Sequence, residues 1–235
     1  LEIDKSSGSV TASGATTLDI AGFTLTQGSF SAPTGTMTVG RSSGTETVFS
    51  VASGTTYTHN NGTITFDSKT SCVAGTHTYT VDVDSVLTVG SVDIAIQRCS
   101  GTPQLTTAAG DRIDVSGDLT LTDYNLKGIW HIAGDIRTTS ALDGGNASLT
   151  LKGSAAQVIE SEGGTNPSGT WRIAKPSGTV TLSGALSLNT SGQDLTLTGG
   201  TLDLNGYDLT VNDQFEIGTG TTLRLHGSET ITGGP

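Results

Sequence analysis

Apolar residues alternate with Thr, Ser or Asp along almost the whole chain, as in Leu202 and Leu204 against Thr201 and Asp203. A period of two is the signature of strands with one buried and one wet face. Short runs of this kind are predicted at, among others, 17–20, 23–26, 36–39, 63–66, 78–83, 86–89, 92–96, 118–122, 129–132, 148–151, 170–173, 179–182, 195–198, 201–204, 208–211 and 221–225. Ser-Gly, Thr-Gly, Gly-Gly and Asn-Gly pairs separate them and supply the positive-φ positions that tight corners need. In the expected stack Leu18, Ile20, Phe23, Leu25, Met37 and Val39 point inward, with Leu202, Leu204, Tyr207, Leu209, Leu223 and Leu225 as counterparts. Each is worth on the order of 1.5 to 3 kcal/mol when fully buried.

The chain also repeats itself. Leu1 to Ala15 (LEIDKSSGSVTASGA) returns as Trp171 to Ala185 (WRIAKPSGTVTLSGA), with the numbering shifted by 170. Thr17 to Thr26 (TLDIAGFTLT) returns as Thr201 to Thr210 (TLDLNGYDLT), but shifted by 184, so a segment around Asn189 to Gly200 has been added between intact flanks. An interdigitated globular core resists such added volume, whereas a solenoid accepts another layer and grows longer. The fold expected is therefore all-β, a parallel β-helix (β-solenoid) of short Gly-punctuated coils, with the added segment forming one extra coil. Residues 1–66 and 118–235 are read as solenoid coils. Residues 67–117, the least repetitive part, are read as wider or divergent coils, the other reading being a small inserted β subdomain.

Composition narrows the picture. Thr is the commonest residue, Gly fills 33 positions and charged residues make up 14%, with no Ala/Leu/Glu/Lys helix periodicity. The net charge is −11 and the cations are scattered singly, which argues against nucleic acid as a partner. No apolar run of membrane-spanning length and no signal-peptide pattern is visible. The chain begins at Leu1 without Met, as a processed or trimmed chain would.

Candidate chemistry is sparse. Cys72 and Cys99 are expected to form a disulfide closing a loop of roughly 27 residues, worth about 3 kcal/mol in the chain-entropy description, because an even count in a Thr/Gly-rich β chain suits an oxidising compartment. Neither has the close CxxC partner or nearby His of a metal site. His59, His77, His131 and His226 are far apart with no evident partners, and the acidic residues, such as the outward Asp82, Asp84 and Asp93, lack cation-ligand spacing. No phosphate loop, nucleophile elbow or zinc helix occurs. Trp130 and Trp171 suit packing over a coil end better than a sugar platform. Thr-x-Thr pairs such as Thr36/Thr38 and Thr63/Thr65 recur at irregular steps, so they read as soluble strand formers rather than a flat ice-binding face. No catalytic, cofactor-binding or metal-binding residue is nominated.

The phrases Gly28 to Val39 (GSFSAPTGTMTV), Tyr57 to Phe66 (YTHNNGTITF), Gly169 to Gly184 (GTWRIAKPSGTVTLSG) and Gly200 to Val211 (GTLDLNGYDLTV) resemble the repeat units of large secreted bacterial surface proteins. Those are adhesin-like β-solenoids similar to filamentous-haemagglutinin and autotransporter stalks. The resemblance implies a parallel β-helix with an extracellular, cell-surface structural or adhesive role, and it carries over no catalytic residue. The chain is thus expected to be a segment or subunit of a stalk, fibre or filament rather than an enzyme. Leu1 opens on a repeat phrase and Thr230 to Pro235 stops without a cap, so the expected partners are copies of the chain stacked head to tail or adjacent repeats of a longer chain, with cell-surface polysaccharide as a further candidate. The alternative is a carbohydrate-binding or polysaccharide-degrading β-helix, which needs a carboxylate pair or a basic and acidic cluster on one face.

Overall fold

Strands of three to six residues with one apolar face cannot bury that face alone, so they stack. In a computed structural model, which describes residues 1–14, 16–40, 44–68 and 73–233, they do so as a β-solenoid of about 10 turns with no helix among the described residues. Every ladder pairing is parallel, and each turn of chain adds one rung to each of three sides.

Side A runs from the start of Glu2–Thr11 and of Phe23–Ser31 through Glu46–Val51, Thr78–Val83, Gln104–Thr107, Tyr124–Leu126 and Leu142–Gly145. It continues by a bridge at Thr165 and a ladder of Leu186–Leu188, Leu209–Val211 and Ile231–Gly233. Side B holds the second parts of Glu2–Thr11 and Phe23–Ser31, then Thr56–Thr58. Val86–Val89, Arg112–Val115, Ile129–Ile132, Ser148–Leu151, the starts of Trp171–Leu182 and Leu195–Asp203, and Phe215–Ile217 follow on the same side. Side C stacks Leu18–Ile20, Thr36–Val39, Thr63–Phe66, Ser91–Ile94, Leu119–Leu121, Ile136–Thr138 and Gln157–Ser161. The ends of Trp171–Leu182 and Leu195–Asp203 and finally Thr222–Arg224 complete it.

Coil length is not constant. On side C Leu119 pairs with Ile136, a step of 17, whereas Ile64 pairs with Val92, a step of 28. Into 67–117 the ladders of sides A and C run on, the side B ladder starts afresh at Val86–Val89, and the added length carries a further two-stranded ladder, Val73–Ala74 with Arg98–Ser100.

The repeated phrases acquire a different meaning from the one their spacing suggests. Lys5 to Gly8 turns the corner from side A to side B, whereas Lys175 to Gly178 turns from side B to side C. Both corners use a positive-φ glycine, Gly8 at +90° and Gly178 at +88°. The second phrase returns to the same side, C, in both copies, at Leu18 and at Leu202. The residues between the copies therefore differ by the side A and side B rungs of coil nine, Leu186–Leu188 and Leu195–Leu197. Asn189 to Gly200, expected to be a whole extra coil, is a turn and one rung. A corner phrase recurs because corner geometry recurs, whichever corner it is.

The interior is one continuous column. Phe23, Leu25, Met37, Val39, Leu202, Leu204 and Leu209 are buried as their alternation requires. Phe23, Phe30, Phe49 and Tyr57 pack with ring centroids 4.9 to 6.0 Å apart across coils two and three. Three inward expectations fail in the last coils. Leu225 is exposed and Leu223 only partly covered at the strand Thr222–Arg224, which has a ladder partner on one side, whereas Tyr207 is exposed because it follows the Asn205–Gly206 turn and stands in no strand. Leu18 and Ile20 of coil one are likewise partly covered.

At the corner between sides B and C, glycines of successive coils lie on one another. The N–H groups of Ser91, Gly117 and Gly134 donate to the carbonyls of Gly62, Gly90 and Gly117 at 3.0 to 3.2 Å. A Cβ at Gly90 would lie 2.0 Å from the Gly62 oxygen, which is why no larger residue fits there.

Candidate functional site

Outward residues on side B form a line along the stack. The ladder register places Thr88, Asp114, His131, Thr150, Arg172, Thr196 and Glu216 on successive rungs. Thr is the ordinary outward strand residue in this column. In its middle, coils five, six and eight depart from that rule with Asp114, His131 and Arg172, and Arg112 and Lys152 stand beside the line on coils five and seven.

Asp114 is the hub. Arg112 donates to it from Nε at 2.8 Å and from Nη2 at 3.4 Å, and Lys152 donates from Nζ at 2.5 Å. His131 Nδ1 lies 3.6 Å from the same carboxylate. Burial alone would raise the Asp114 carboxyl, but the hydrogen bonds and charges of Lys152 and Arg112 outweigh it and hold the group below the usual carboxylate range. His131 moves the other way. Burial first, then the Arg112 charge, pushes its imidazole below the ordinary value, with Asp114 opposing and Lys152 and Arg172 adding to the shift. The imidazole is therefore neutral at pH 7, and the strip carries Arg112, Lys152 and Arg172 against one carboxylate. A cleft of about 120 Å³, lined by Thr88, Asp114, Val115, Ser116, Ala133 and Lys152, opens beside it.

A second cluster closes the C-terminal coils. Asp203 accepts from His226 Nε2 at 2.9 Å and from Arg224 Nη1 at 3.2 Å. Burial would raise its carboxyl, but the Asn205 N–H, His226 and Arg224 together hold it low. Glu229 is cradled by backbone, receiving the N–H groups of His226, Gly206, Gly227 and Ser228 at 2.6 to 3.0 Å.

Two of the four histidines thus stand beside carboxylates that sequence spacing hides. His131 is the ladder partner of Asp114 on the next coil, and His226 reaches Asp203 across a sequence separation of 23, so each distance along the chain is a local coil length. His59 is part of its own turn, its Nδ1 accepting the Asn61 N–H at 3.0 Å. His77 sits half-buried just before the side A strand Thr78–Val83. Asp82 and Asp84 are exposed as expected, whereas Asp93 is half-buried, and burial, with the neighbouring Asp67 charge, pushes its carboxyl up.

The tryptophans are neither a platform nor an end cover. Trp130 and Trp171 are fully buried inside coils six and eight, each indole N–H donating to a backbone oxygen, of Lys127 and Pro167 respectively, at 2.9 Å. The Thr pairs stack on side C only where Thr36 and Thr38 meet Thr63 and Thr65, and the next rung brings Ser91 and Asp93. Cys72 lies outside the described residues, and Cys99 is described only in backbone, within Arg98–Ser100, so the expected disulfide falls outside them. Among the described residues no group of three or more His, Cys, Asp or Glu is placed to hold a metal, and no helix is long and apolar enough to cross a membrane.

A scan against protein-family models and searches of the curated proteins and the solved structures find no match to the chain.

Proposed function

We propose that this chain is an extracellular structural β-solenoid, a segment or subunit of a cell-surface stalk, fibre or filament with an adhesive role. One observation carries the reading. About ten turns stack on one continuous apolar column, with Leu195, Leu197 and Leu202 buried to within 1%, beneath an outer face of strand-forming Thr, and such a column is a spacer that further coils of the same kind lengthen. The resemblance to adhesin-like repeats, the low charge and the Thr-rich outer surface support an extracellular setting. A stalk segment needs no catalytic residue, and the reading assigns none.

Electron microscopy and cell-surface labelling of the native protein test it. Rods or filaments accessible at the cell surface are the outcome expected. A compact protein confined to the cell interior overturns the reading.

A further inference from the structure

We propose that the charged strip on side B is a binding site for an oxyanion, carboxylate or sulfate, presented as a pendant group of an acidic polysaccharide or as a small free ion. This goes beyond the stalk reading and stands independently of it. The chain as a whole carries −11, yet coils five to eight carry Arg112 and Lys152, both paired with Asp114, and Arg172 beyond them, a local surplus of two positive charges with His131 neutral. A surface that only had to cover the core would continue the Thr column above and below. Asp114 does not neutralise the strip. It pins Arg112 and Lys152 in fixed positions, and each keeps donor hydrogens beyond those Asp114 accepts.

Arg172 is the most open of the three. Among the described residues its one hydrogen bond runs from Nε to Thr198 Oγ1 at 3.1 Å, which orients the guanidinium and leaves both terminal nitrogens without an acceptor. Its rung pairs Thr150, two residues before Lys152, so the two backbones lie on adjacent coils, while the Lys152 ammonium reaches back to Asp114 and the Arg172 guanidinium forward to Thr198, which spreads the two cations along the stack. The cleft beside Lys152, about 120 Å³, is the size of roughly four waters and admits one carboxylate or sulfate. Fixed cations beside a cleft meet a planar or tetrahedral oxyanion with charge-assisted hydrogen bonds. An extended acidic glycan laid along the stack would bring such groups past Lys152 and Arg172 in turn.

Calorimetric titration of the chain with sodium sulfate, galacturonate, polygalacturonate and uncharged dextran tests the site. Saturable binding of the anions, none of dextran, and a loss on the order of tenfold in Arg172→Gln and in Lys152→Gln is expected, with circular dichroism showing both variants folded. Polygalacturonate binding more tightly per site than galacturonate identifies the glycan source, and equal affinities identify the free ion. Absence of binding by every anion, or binding that both Gln variants retain, overturns the proposal.

Discussion

Lys175 donates from Nζ to Oε1 of Gln157, 2.5 Å away, inside the corner between sides B and C. Gln157 in turn donates from Nε2 to the carbonyls of Gly134 and Ile132 at 2.5 and 3.2 Å. The glycine column of coils two to six thus gives way, in coils seven and eight, to an amide and an ammonium that fill the same corner. Both side chains are about 1% exposed, and burial pushes the Lys175 ammonium below the ordinary lysine value. A base whose pKa is lower folded than unfolded binds fewer protons in the native state, so stability rises with pH from the folded value up to about 10.5. Lys175→Met should abolish that part of the rise in denaturant titrations carried up to pH 10.5. Gln157→Leu, which strands the ammonium, should cost roughly 3 kcal/mol at neutral pH.

Gly90→Ala should be among the most damaging single-methyl changes in the chain. Its Cβ would sit 2.0 Å from the Gly62 carbonyl oxygen, a backbone atom held by the ladder. A loss of about 3 kcal/mol or more is expected in chemical denaturation. Gly110→Ala, at a positive φ of 91° but in open space, should cost only about 1 kcal/mol.

A coil is removable only whole. Val180 and Leu202 occupy the same place on successive turns, so deleting residues 181–202 joins coil eight to coil ten in register. That variant should fold with unchanged β content by circular dichroism and be shorter by about 4.8 Å in solution scattering. Deleting 189–200 removes one rung and its turn from coil nine, and should lose cooperative unfolding.

Glu229 fixes the loop after the last side C strand. Desolvation works against its charge, but the surrounding N–H groups hold the carboxyl at about 2 against an ordinary value of 4.5. Because the folded value is depressed, its contribution is complete above about pH 4.5 and is lost as pH falls towards 2. The protection of the Gly206, Gly227 and Ser228 amides, measured against their intrinsic exchange rates, should fall as pH drops across that window in the wild type. In Glu229→Gln that protection should be low throughout.

Cys72 and Cys99 should prove bonded. The even cysteine count in a Thr/Gly-rich β chain motivates the bond. Mass measurement after alkylation without reductant should find no modified cysteine. Two added alkyl groups would remove both the bond and one support for an extracellular setting.

Which residues face inward was legible in the alternation of Leu195, Leu197, Leu202 and Leu204 with their polar neighbours, because side-chain direction in a strand is a local property with a period of two. The Gly-bearing corners and the stack itself could be read the same way, from turn chemistry and from the returning phrases. What lies beside what could not. Register between coils depends on how much chain each corner absorbs, and the step from Leu119 to Ile136 is far shorter than that from Ile64 to Val92. Hence Asp114 meets His131 one coil on, Lys152 two coils on and Arg112 within its own strand, a set with no common spacing to search for. Alternation misleads where no strand forms, since Tyr207 has the alternation of Phe23 but stands in the turn before Leu209–Val211 and is exposed. Local chemistry determined the strand and its buried face, and only the stacking of unequal coils decided the site.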